Sequence, residues 1–206
     1  MKNTKGYPSR QEAEAILQWA GDLNPGKWIS HSRVAARAAE TIASAARFDL
    51  DKAYVLGLLH DIGRFEGVRG LHHVIAGYEL MKSKGNTDSA RICLTHSFPV
   101  QHFFAYSGKN LDCTEQEIQQ IKNFLEHTTY DEYDRLIQLC DALSLPEGIT
   151  ILDSRLIDVA LRHGFNDYTI QKWESIFQLK SYFDGLSQTN LYTLFREEIQ
   201  KSIFGE

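Results

Sequence analysis

Cysteine is scarce in this chain: Cys93, Cys113 and Cys140 are widely spaced and odd in number. That argues against a disulfide framework and against a CxxC zinc site, and it fits a reducing compartment. Long apolar runs are missing as well. No segment approaches the ~20 apolar residues needed to span a bilayer. Residues 1–21 carry Lys2, Lys5, Arg10, Glu12 and Glu14 where a signal peptide would be uninterrupted. A cytoplasmic protein without membrane contact is the expectation. Basic residues are not in excess either, since the formal net charge is -5. Long nucleic acid and anionic membrane surfaces are therefore poor partners, although a small anion can still be held locally. Absent too are GxxxxGK[ST], HExxH, GxSxG, GxGxxG and the HxE with PCxxC pair of zinc deaminases.

What is present is helical patterning. A chain of 206 residues, 43% hydrophobic and 24% charged, can bury one sizeable core. Apolar residues recur at helical spacing nearly throughout, and no stretch shows the sustained period-two alternation of a sheet. The expectation is an all-α fold in one domain, 1–206, with the segment after Pro146 as a C-terminal helical extension. A first helix should follow Ser9 as cap and end near Gly21, before the break Asn24-Pro25-Gly26. A longer one should reach about Arg47, and a third, capped by Asp49 or Asp51, should carry the apolar run into His60-Asp61 and end in the glycine-containing stretch 62–70. Further helices are expected at about 73–84, 87–96, 115–127, 131–145, 153–163, 168–183 and 191–203. Two loops stand out: 62–71, with Arg64 and Arg69, and 97–110, with His102, Phe103, Phe104, Tyr106 and Lys109.

The most telling local feature is His60-Asp61 at the end of the apolar run Ala53-Tyr54-Val55-Leu56-Gly57-Leu58-Leu59. Burying such a carboxylate unpaired costs roughly several kcal/mol, and a bound cation removes that cost. Polar ligand types recur in similar settings. His31 lies among Trp28, Ile29, Val34, Ala35 and Ala38, on the stripe that faces a core. Asp141 interrupts Leu136-Ile137-Gln138-Leu139-Cys140 and Ala142-Leu143, His96 closes Ile92-Cys93-Leu94, and His73 opens a helix that continues with Val74, Ile75 and Leu80. Imidazole and carboxylate without thiolate suit a divalent Mn, Fe, Co, Ni, Mg or Zn ion, with no choice among them. Adjacent helical residues point about 100° apart, so His60 and Asp61 can share an ion only near the helix end. His31 and Asp141 would complete the site from other helices, as metal sites in bundle cores are built.

His31, then His60-Asp61 within Leu58-Leu59-His60-Asp61-Ile62-Gly63-Arg64, then Asp141, resemble the H…HD…D signature of the HD-superfamily metal-dependent phosphohydrolases. The resemblance covers roughly residues 28–145. His73, four residues before Gly77, and His96 look like the two extra histidines of binuclear members, which include bacterial diadenosine-tetraphosphate hydrolases. The resemblance implies His31, His60, Asp61 and Asp141 as ligands of a first ion, with Asp61 bridging to a second held by His73 and His96. Many binuclear relatives have two adjacent histidines where this chain has His96-Ser97, and His72 stands beside His73, so a one-ion site is the alternative.

With the other signatures absent, metal-assisted hydrolysis leads among enzyme classes. The expected substrate is a small phosphorylated molecule, a nucleotide or another phosphate ester or anhydride, attacked by water activated at the metal. In this reading Asp61 and Arg64 are the catalytic residues, with Arg64 offsetting phosphoryl charge. Arg64 could instead pair with a surface acid such as Glu66. Phe103, Phe104 and Tyr106 could stack on a base or pack with one another, and Lys109 could approach a phosphate or stay solvated. His72 reads as a bystander, His127 and His163 as helix-end residues favoured by the dipole. The rival functional class is a non-catalytic HD module that binds metal or nucleotide to regulate a partner. A third reading is a helical bundle whose polar core residues simply bond each other.

Overall fold

Ser9, Asp49, Thr114 and Asp131 each place a side-chain oxygen on the backbone N–H groups that open a helix, and these four caps mark out much of the architecture. In a computed structural model, residues 5–108 and 110–205 are described; Lys109, one of the candidate phosphate contacts, lies outside them. Among the described residues the chain forms eleven α-helices: α1 Arg10–Leu23, α2 Lys27–Ala46, α3 Leu50–Leu59, α4 His72–Ser83, α5 Thr87–Thr95, α6 Glu115–His127, α7 Glu132–Leu143, α8 Leu152–His163, α9 Thr169–Ser187, α10 Leu191–Leu194 and α11 Arg196–Phe204. Helices α2, α3 and α7 pack on one another, with α5 against α3 and α7, and α4 lies across α5. The main core runs through Leu17, Ile42, Leu56, Leu59, Ile137 and Phe183. A second, smaller cluster, including Leu71, Phe98, Phe103, Ile121 and Leu125, sits under α6.

Several boundaries differ from the sequence expectation, each for a visible reason. Helix α1 passes through Gly21 to Leu23, because Gly21 is there for close approach: a Cβ on it would lie 2.7 Å from Cδ1 of Ile29. Helix α7 stops at Leu143, and Ser144–Leu145 pairs with Gly148–Ile149 as a two-residue antiparallel hairpin, β1 and β2. Pro146 accounts for this, since the residue before a proline is pushed out of the helical region. The expected last helix is split at Phe195, where the backbone reaches φ −121° and ψ 24° and the side chain is buried. Within the two loops, Ile62–Glu66 and Phe103–Ala105 are short 3-10 turns.

The turn that follows His60-Asp61 is seated by a glycine. A Cβ on Gly63 would fall 1.9 Å from the carbonyl oxygen of His73 and 2.4 Å from the amide nitrogen of Gly77. Backbone meets backbone there, so nothing flexible can yield. Gly63→Ala is expected to cost about 3 kcal/mol or more, read as a lower midpoint in urea unfolding with an unchanged slope.

Helix α5 is anchored in another way. Asp134 of α7 is fully buried and accepts from Nε and Nη2 of Arg91 and from the Thr95 hydroxyl at 2.7 Å. Arg91 also donates to the carbonyl of Thr129 at 2.6 Å. This network ties the end of α5, and with it His96, to α7.

Candidate metal centre

Each of four histidines has its Nδ1 against a backbone carbonyl. His31 faces Ser144 at 3.2 Å, His60 faces Gly57 at 2.7 Å, His96 faces Ile92 at 3.1 Å, and His73 faces Gly70. A carbonyl only accepts, so each Nδ1 is the donor, and in the neutral ring each Nε2 presents a lone pair. These Nε2 atoms converge. His31 and His60 approach to 3.2 Å, and His73 and His96 to 3.4 Å. The hairpin that replaced the end of α7 has a consequence here, because Ser144 lies past the last helical turn and its carbonyl is free to orient His31.

The carboxylates join the same two groups. Oδ1 of Asp141 is 3.0 Å from Nε2 of His31 and 3.8 Å from that of His60. Oδ1 of Asp61 is 3.3 Å from Nε2 of His73 and 3.6 Å from that of His96. The six residues thus form two triads that could each hold a metal ion, His31–His60–Asp141 and Asp61–His73–His96. Asp61 stands between them, its Oδ2 being 4.0 Å from Nε2 of His60. The side chains of His60, Asp61, His73 and His96 are all but closed to solvent, while Asp141 opens on a cleft.

Lone pairs facing lone pairs and carboxylate oxygens repel one another. A proton between two of them relieves one contact, whereas a divalent cation relieves three at once, and orienting each ring by its other nitrogen is the usual support of a metal-ligating histidine. Oδ1 of Asp61 is buried without a hydrogen-bond partner, which is the orphaned atom a cation would satisfy. Asp134 makes the contrast, since its equally buried carboxylate is fully engaged by Arg91 and Thr95. The donor set of imidazole nitrogens and carboxylate oxygens fits a divalent ion.

Charge at the site follows from burial and from these neighbours. Burial opposes ionisation of Asp61, but the guanidinium of Arg64, whose Nε donates to Oδ2 at 2.6 Å, outweighs it and holds the carboxyl well below its ordinary range. Burial also opposes the charge on Asp141, and contact with His31 overcomes it. Burial lowers His60 to about 4 and His73 to about 3, with Arg64 adding to the effect at His73. Both imidazoles are therefore neutral at pH 7. In the unfolded chain they bind protons at about pH 6.5, so the metal-free protein should hold its full stability above that pH. It should lose stability as the pH falls from about 6.5 toward 4, where only the unfolded state gains protons. Urea midpoints of metal-free protein at pH 7.5, 6 and 5 measure this, and a flat series would contradict neutral burial.

The centre opens into a cleft of about 840 Å³. Arg64 lines it and pairs with Asp61, while Glu66, the alternative partner, bonds His72 at 2.8 Å instead. Arg69 and Tyr106 also line the cleft. Of the other loop aromatics, Phe103 is buried in the second core cluster and Phe104 is largely exposed, so neither lies on the cleft wall. His102 stacks on Tyr168, with ring centroids 4.6 Å apart. His127 bonds the carbonyl of Asn123 near the end of α6, a structural position. A third group, His72, Cys113 and Glu117, is only half-buried. Its members are otherwise occupied: His72 bonds Glu66, Glu117 completes the cap at Thr114, and burial raises the Cys113 thiol to about 12.

Sequence reasoning did not find the far wall of the cleft. Arg155, Asp158, Val159 and Arg162 line it from one face of α8, and Lys172, Trp173 and Ile176 from α9. Trp28 lines it as well. The spacing of 155, 158, 159 and 162 does mark one helical face, but nothing local tells that this face meets the centre.

The model of the HD domain matches residues 28–145, more than half of the 206. The chain belongs to the HD-domain family. Neither a comparison with curated proteins nor one with solved structures gave a match. Among the described residues no helix is long and apolar enough to cross a membrane.

Proposed function

We propose that the protein is a metal-dependent phosphohydrolase acting on a nucleotide or another small phosphate ester or anhydride. The observation that carries this reading is the convergence of four Nε2 lone pairs and two carboxylates at the inner end of a cleft. His31, His60 and Asp141 would hold one divalent ion, and Asp61, His73 and His96 a second, with Asp61 near enough to His60 to serve both groups. Such ions supply a water acidified to near-neutral pKa and polarisation of the phosphoryl oxygens.

The chain's own residues do the rest. Arg64 keeps Asp61 ionised and turned toward His73 and His96, and the remainder of its guanidinium is available to a phosphoryl oxygen at the cleft floor. The buried histidines exclude bulk water from behind the reacting group. The carbonyls of Ser144, Gly57, Gly70 and Ile92 hold the rings so that little reorganisation is needed when charge develops. The Ser97 hydroxyl, 3.0 Å from Nε2 of His96, stands where many binuclear relatives have a second histidine and can donate to a phosphate or to His96.

Metal analysis of the purified protein, joined to a panel of phosphate esters, anhydrides and nucleotides assayed with several divalent ions, tests this reading. Bound metal with metal-dependent release of phosphate is expected. Bound metal without turnover on any compound would favour a regulatory module, and a protein indifferent to metal would return it to a bonded polar core.

A further inference from the structure

The cleft has a second charged wall, contributed by segments outside the matched HD region. Six Lys and Arg residues line the cleft against four Asp and Glu, in a chain whose formal net charge is -5. Two of those four acids, Asp61 and Asp141, belong to the metal triads, so bound divalent ions would leave the cleft more positive still. Glu147 is paired with Lys27 at 3.0 Å. Asp158 is shared between Arg162 at 2.8 Å and Arg155 at 3.1 Å.

That leaves cationic capacity without protein acceptors. Nε of Arg155 is buried and has no hydrogen-bond partner. Nζ of Lys172 donates to the Ser107 hydroxyl at 2.9 Å and to the Ser97 carbonyl at 3.3 Å, both neutral acceptors. Its side chain lines the cleft, and among the described residues no carboxylate pairs with it. Arg155 lies close enough to Lys172 to oppose its charge, so the two cations repel, and a polyanion spanning both relieves the repulsion. Ser97 adds a geometric link, because its carbonyl positions Lys172 while its hydroxyl touches His96 of the second triad.

We propose that Arg155 of α8 and Lys172 of α9 form a second anion subsite, which holds a phosphate adjacent to the one attacked. The preferred substrates then carry two or more linked phosphates, and monoesters are poor ones. This rests on the phosphohydrolase reading for the identity of the attacked group, but it concerns binding and can be tested without turnover. A cleft of about 840 Å³ has room for a phosphate chain and the group attached to it.

The test uses the full chain loaded with manganese and two probes that no phosphohydrolase cleaves, methylphosphonate and methylenediphosphonate, with affinities measured by calorimetry. Wild type should favour the diphosphonate. Since bound metal itself prefers a diphosphonate, the deciding quantity is the change in that preference on Arg155→Gln and Lys172→Gln, which keep most of each side chain's packing. Metal content and melting temperature confirm that each variant is folded and loaded. Should a variant fail there, Arg155→Met and Lys172→Met serve in its place.

Each substitution is expected to weaken the diphosphonate at least about tenfold and the monophosphonate less than about twofold, with the diphosphonate loss diminishing at high salt. No loss, or an equal loss for both probes, would overturn the subsite. A selective loss in a protein that hydrolyses nothing would leave the subsite standing and refute the hydrolase reading instead.

Discussion

Replacing Asp61 by asparagine is expected to lower kcat/KM for the best phosphate substrate by at least about 10³-fold, equivalent to roughly 4 kcal/mol of barrier, and to reduce the bound metal. Asn preserves the volume of the side chain but removes its charge. Among the described residues, Oδ1 of Asp61 is the only carboxylate oxygen within 4 Å of both His73 and His96, and Oδ2 faces His60 and the guanidinium of Arg64. Neutralising it removes the one anion that both triads can use, while Arg64 loses its partner and turns from a positioning group into a repulsive one for a cation. Asp61→Ala should be worse, since it also leaves a gap beneath Arg64. Steady-state kinetics with metal analysis on both variants decides the matter, and unchanged turnover in either would refute the catalytic assignment of Asp61.

Divalent metal should raise the melting temperature by about 8–16 °C when its free concentration is about a thousandfold above Kd. Binding to the folded state alone contributes about 4.1 kcal/mol at that ratio, and for a chain of this length each kcal/mol moves the midpoint by about 2–4 °C. The structural cause is the repulsion among inward-facing lone pairs and carboxylates, which the metal-free protein must carry. Chelation should reverse the shift. His31→Ala and His73→Ala, each removing one ligand from a different triad, should each diminish it, and a difference between them would separate the two positions. A shift below about 2 °C with every ion tried would mean that the polar core is bonded to itself.

Much of this centre was legible because buried polar residues break helical apolar patterns. His31, His60-Asp61 and Asp141 interrupt faces that are otherwise core, and the structure brings all four together with His73 and His96. The same reasoning is fallible, as Asp134 shows. It is as buried as any of the six candidate ligands, yet its charge is met by Arg91, a residue 43 positions away, and by Thr95. Burial of a carboxylate points to a cation of some kind, and only the contacts tell a guanidinium from a metal. Arg64 was found by its position three residues after Asp61, but its partner was not, because the 3-10 turn that folds it back depends on Gly63 meeting α4.

The chain's own pattern determined the helices, their caps and the ordered set of histidines and aspartates, since periodicity, N-cap chemistry and a resemblance in spacing are all carried by residues close in sequence. Tertiary structure decided the rest. It sorted six candidate ligands into two triads, freed the Ser144 carbonyl for His31 by ending α7 early, and turned the faces of α8 and α9 bearing Arg155 and Lys172 toward the centre. Those outcomes depend on how a helix is rotated about its axis against partners distant in sequence, and that rotation is set by the packing of apolar side chains across the whole core rather than by any local run.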